Sequence, residues 1–217
     1  DRRRAGIVAG LGVALAAVAL GLASLLNDPT GPRPSAAQSA SAGAARTAPP
    51  SAEDLPPLST LLERPLPGGL ATAPPEVAAR DLERRLAAQR SPRRLVELGV
   101  AYQRLDSPDR AVPLFREALS LDPGFIPARV GLAMAGAGSG AGAAVRAQRS
   151  LEALERKFPR NQLVVFNLAW AAIYAQDGPV VIRALERTLA LDDSSYLGVV
   201  AQSLLQAGRS GSSSSEP

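Results

Sequence analysis

FNLAWAAIY, residues 166–174, holds the side chains with most to offer another molecule. Phe166, Trp170, Ile173 and Tyr174 fall at i, i+4, i+7 and i+8, one face of a helix. Aromatics make up only 4% of the chain, so their concentration here, beside Asn167, marks a face able to anchor a partner. Leu168, Ala169 and Ala172 already supply a packing face on the opposite side. The helix is therefore apolar on two sides, and the aromatic stripe fits burial under neighbouring helices as well as it fits binding.

Few other residues invite chemistry. The chain has no histidine and no cysteine. This removes thiolate nucleophiles, imidazole bases and Cys/His zinc sites together. Asp192-Asp193-Ser194-Ser195 places carboxylates beside hydroxyls, but that pattern also makes a turn followed by a helix N-cap. Asp106, Asp109 and Asp122 read as turn or helix-start residues. The sole lysine, Lys157, stands among Glu155, Arg156 and Arg160 at a solvated helix end. The glycine run GAGSGAG, residues 136–142, follows no strand and is a flexible turn rather than a phosphate cradle. The sequence thus predicts no catalytic residue, no metal, no cofactor and no small-molecule substrate. Net charge is +4 and the pI about 10.3. Arginines alternate with acids and form no basic run, so no nucleic-acid partner is expected.

The elements that would carry these residues are helices. From residue 76 onward apolar positions recur at helical spacing. Ser91-Pro92 and Ser107-Pro108 each read as an N-cap followed by proline in the first turn. Pro113 lies within the second of these helices, where it predicts a late start or a kink. Between residues 98 and 123 the chain reads as a helical hairpin. Leu95, Leu98, Gly99, Tyr102, Ala111, Phe115, Ala118 and Pro123 fit W-x2-L-G-x2-Y…A-x3-F…P, with leucine in the tryptophan place. This resembles the tetratricopeptide repeat.

The resemblance implies an all-α fold, a solenoid of about three helix-turn-helix repeats. A period of 35 residues places them at 92–125, 126–160 and 161–193. The middle unit is degenerate, with Leu132 and Ala133 standing for Leu98 and Gly99 after one inserted residue. Helices 76–90 and 194–207 would cap the ends, because a lone repeat exposes an apolar face, and the tail 208–217 would be disordered. The family also implies a concave groove, lined by the first helix of each repeat, that receives a segment of another protein. Arg93, Val96, Val100, Gln103 and Arg104 would line it in the first repeat. Ala128, Gly131 and Ala135, with little to grip, would line it in the second. Leu163, Phe166, Asn167, Trp170, Ile173 and Tyr174 would do so in the third. One branch of the family clamps C-terminal carboxylates with basic residues and asparagines. Val100 and the Ala/Gly positions of the second repeat exclude that clamp.

The first 75 residues differ in kind. Residues 5–26 carry no charge, follow three arginines and, as a helix, span about 33 Å, enough for a ~30 Å hydrocarbon core. They predict one transmembrane helix; the rival reading is a cleaved leader, although the run is longer than the usual core of one. The arginines place the N-terminus in the cytoplasm and the rest outside. Gly6-x3-Gly10 and Ala17-x3-Gly21 allow weak self-association through this helix. Residues 27–75 are rich in Pro, Ala, Ser and Gly and predict a disordered tether of roughly 40 Å reach. The short run 58–62 could form a helical turn or dock transiently, and is read as part of this linker. The whole layout predicts a non-enzymatic scaffold or assembly factor of the bacterial envelope, bound to another protein. The alternative is the C-terminal sensor or docking region of a larger membrane-spanning signalling protein, such as a kinase, with its catalytic domain ahead of Asp1.

Overall fold

A computed structural model describes residues 58–137 and 142–213. The expected membrane helix, most of the tether and the end of the tail lie outside these residues. Among the described residues the fold is all-α, and no helix is long and apolar enough to cross a membrane. The helices are α1 Pro75–Ala88, α2 Pro92–Arg104, α3 Pro108–Leu121, α4 Ile126–Ala135, α5 Ala143–Lys157, α6 Gln162–Tyr174, α7 Gly178–Leu191 and α8 Tyr196–Ser213.

Local chemistry sets the helix starts. Ser91 accepts a hydrogen bond from the Arg94 N–H at 3.4 Å and Pro92 follows it, a capped start with proline where no N–H is needed. Asn161 caps α6 through the Val164 N–H at 3.1 Å, and Asp177 caps α7 through the Val180 N–H at 3.3 Å. Asp192 Oδ1 accepts from the Ser194 and Ser195 N–H groups, and Ser195 Oγ accepts from the Gly198 N–H. That carboxylate and hydroxyl pair therefore builds the turn into α8. The bonds from Ser194 hold the Asp192 carboxyl below its ordinary range.

Successive helices pack on one another from α1 to α8, and α2, α4, α6 and α8 also touch along a single inner row. The result is α2–α3, α4–α5 and α6–α7 hairpins stacked side by side, with α1 and α8 at the ends. Two apolar clusters fill the stack. One runs from Leu66 and Leu70 through α1, α2 and α3; the other gathers α5, α6, α7 and α8. Helix α4 joins them, giving Ala128 and Ala135 to the first and Val130 and Met134 to the second.

The joint between the first two hairpins is the Phe115 ring. A Cβ on Gly99 would lie 2.6 Å from it and a Cβ on Gly131 2.5 Å. Both helices approach the ring so closely that only glycine fits on either side. Gly131, expected to line the groove, is thus the packing partner that the sequence reading assigned to Ala133.

Three expectations change. Helix α3 begins at Pro108 and runs through Pro113 without a break. Pro113 is exposed and forfeits only the bond to the Asp109 carbonyl, which lies in the exposed first turn. Helix α8 continues to Ser213, past the expected end at 207; once Leu204 and Leu205 are buried, each further residue adds a backbone bond. Most consequential, residues 58–74 do not behave as free tether. Leu66 and Leu70 are buried, and Leu58, Leu61 and Leu62 pack against the two clusters. The expected linker averaged out these leucines among prolines and alanines.

Candidate functional site

A strap formed by residues 58–73 lies against the inner row of helices, where the groove was expected. The strap is non-helical until a 3-10 turn at Pro67–Gly69. Prolines 65 and 67 disfavour helix at the residues before them, and Leu66 has φ −54° and ψ 140°.

Two side-chain amides on different hairpins hold its main chain. Asn167 on α6 accepts from the Leu61 N–H at 2.9 Å and donates to the Leu61 carbonyl at 2.8 Å. Its second amide hydrogen goes to the Leu163 carbonyl, also at 2.8 Å. Gln103 on α2 accepts from the Thr60 N–H at 2.9 Å and donates to the Gly131 carbonyl on α4 at 3.2 Å. Both amides are buried, and each has its oxygen and its nitrogen hydrogen-bonded. Further along, Arg104 donates to the Leu70 carbonyl and the Ala73 carbonyl, each at 3.0 Å. Burial lowers the pKa of this guanidinium from its ordinary value, and no carboxylate pairs with it among the described residues.

Asn167 needs a physical reason to be where it is. Helix α6 is buried on almost every face, between α5, α7, α4, α8 and the strap. A fully buried amide in that setting costs several kcal/mol if left unpaired. Pairing with one residue's N–H and C=O, as a neighbouring β-strand would, satisfies it.

The sequence-predicted residues divide into three groups. Gln103, Arg104 and Asn167 converge on the strap. Val96, Val100, Phe166, Trp170 and Ile173 are buried, the valines in the first cluster and the others in the second, and Tyr174 is half-buried. Trp170 and Tyr174 meet edge to face at 5.6 Å between ring centres. Burial drives the Tyr174 phenol far above its ordinary pKa. Arg93 alone stands in solvent, paired with buried Glu97 at 3.0 Å. It helps to wall a cavity of about 250 Å³ between α2 and the strap at Leu62, Glu63 and Arg64. The aromatic stripe is thus core rather than an open face. Sequence reasoning missed Thr60 and Leu61, whose main chain is what the amides bind. The leucine cluster between Pro57 and Pro65 was the available signal.

What the arrangement can do chemically is hold polypeptide. Among the described residues no group of three or more His, Cys, Asp or Glu side chains could hold a metal. Neither a family model nor a curated protein matches the chain.

Proposed function

We propose that this chain is a non-enzymatic, membrane-tethered scaffold of tetratricopeptide type, whose groove holds a segment of another envelope protein. The observation that carries the reading is the grip of Gln103 and Asn167 on non-helical main chain. Amides aimed at backbone groups from separate hairpins recognise a polypeptide as such, independent of charge. The repeat pattern at Gly99, Tyr102, Ala111 and Phe115 supports the family, and the uncharged run 5–26 after three arginines supports the tether and the extracytoplasmic placement.

The test is capture from a bacterial envelope extract with the full chain in mild detergent. Bait and comparison both carry Leu61→Pro, so that the strap competes less for the amides, and the comparison adds Gln103→Ala and Asn167→Ala at equal helicity. Main-chain bonds contribute about 0.5–1.5 kcal/mol each. Losing the three bonds to the occupant should therefore weaken partner retention about tenfold or more. Equal retention by both proteins rejects the groove as the binding surface.

A further inference from the structure

The geometry points to residues 58–66 as a resident ligand of the groove, displaced when a leucine-rich, non-helical segment of another polypeptide takes over the same amide contacts. This rests on the scaffold reading and names what its groove recognises.

The strap is separable from the hairpin stack. It precedes α1 and joins no hairpin, yet it fills the surface where the inner helices converge. Its hold is of two kinds. Asn167 and Gln103 read main chain, which any non-helical segment without proline at those two positions presents. Leucine side chains supply the selectivity, Leu58 and Leu61 against one apolar cluster and Leu62 against the other. An incoming segment must match that spacing, with leucines at the first, fourth and fifth places.

The fit is also incomplete. Thr60 is only 2% exposed, and its hydroxyl has no hydrogen-bond partner among the described residues. A hydroxyl left unpaired under the strap weakens its docking. A segment with valine in the Thr60 place avoids this defect and should outbind the strap residue for residue. Tethering compensates: a covalently attached segment acts at an effective concentration in the mM range. The groove is therefore closed to weak or chance sequences and open to a better-fitting one.

The experiment uses the full chain in detergent and a labelled peptide, PLSTLLERPLP, the sequence of residues 57–67. In the parent chain the peptide should bind poorly. Leu61→Pro in the chain removes the N–H that Asn167 accepts, and this variant should bind the peptide about tenfold more tightly or better. Adding Asn167→Leu should abolish the gain. A folded Leu61→Pro chain that binds no better than the parent overturns the proposal.

A second measurement needs no altered chain. The peptide with Thr60→Val should bind about fivefold tighter or more than the parent peptide. At mM concentration it should speed hydrogen exchange at the chain's own Leu61 amide; unchanged exchange overturns the displacement. Mixed dimers of two differently tagged parent chains that Gln103→Ala/Asn167→Ala abolishes would assign the groove to a second copy instead and would also overturn it; dimers that survive this change arise outside the groove and leave the peptide results to decide. If the peptide never enters the groove while the extract partner is still held through Gln103 and Asn167, this inference falls and the scaffold reading stands. If the peptide enters but no partner is captured, the scaffold reading falls and the resident ligand stands.

Discussion

At the scale of single residues, small atoms decide distances. The Phe115 ring sits between Gly99 and Gly131 with no space for a methyl group on either side. Gly131 has a second task, since its carbonyl steadies the Gln103 amide that holds Thr60. Gly131→Ala should destabilise the fold by about 1–3 kcal/mol, the ordinary cost of overpacking. Phe115→Leu, destabilising by itself, should absorb most of that penalty. A double-mutant cycle in urea checks this, and strict additivity would show that the two sites do not touch. Gly99 was legible in the sequence, because it falls in the repeat pattern beside Tyr102. Gly131 was not. The degenerate second unit contains several small residues, and spacing alone could not say which of them faced a ring from the preceding hairpin.

At the scale of elements, the helices were largely legible and the strap was not. Ser-Pro starts, apolar periodicity and a 35-residue period are local signals, written within the segments they describe. The strap is defined by contacts to residues far away in sequence, and its own composition resembles that of a tether. The same distance hid the fate of Trp170 and Phe166. A face apolar on two sides is either exposed for binding or buried by neighbours, and only the packing of α4, α7 and α8 around α6 settled which. Pro113 shows the converse, a local rule softened by context. Proline in a helix interior is costly through a lost bond and a ring clash, yet α3 carries it on an exposed face in its second turn. Pro113→Ala restores an N–H facing the Asp109 carbonyl. It should raise stability by about 1–2 kcal/mol, after the added freedom of the unfolded chain is deducted. The midpoint of urea unfolding would register the change, and a lower midpoint would mean that the ring makes contacts worth more than the bond.

At the scale of the whole molecule, buried phenols tie stability to alkaline pH. Burial raises the pKa of Tyr174 and of Tyr196, and burial together with Glu83 raises that of Tyr102. A folded-state pKa above the unfolded value means that the contribution is complete below the ordinary phenol value of 10.0. It is lost as pH rises further, because the unfolded chain ionises first. Each such tyrosine should cost up to about 1.4 kcal/mol per pH unit in that window. Tyr174→Phe keeps the edge-to-face contact with Trp170, so it should reduce the loss between pH 9 and pH 11; an unchanged loss would place the effect on the other two. The contact between Leu61 and Asn167 has a different kind of consequence, one of timing. The two residues are 106 positions apart. A ribosome adding 5–20 residues per second finishes the strap roughly 5–20 s before it makes the asparagine that will hold it. Every newly made copy therefore passes through an interval in which its leucines are out and its groove is unfinished, and whatever binds leucine-rich chain in that interval reaches the strap before its own protein does.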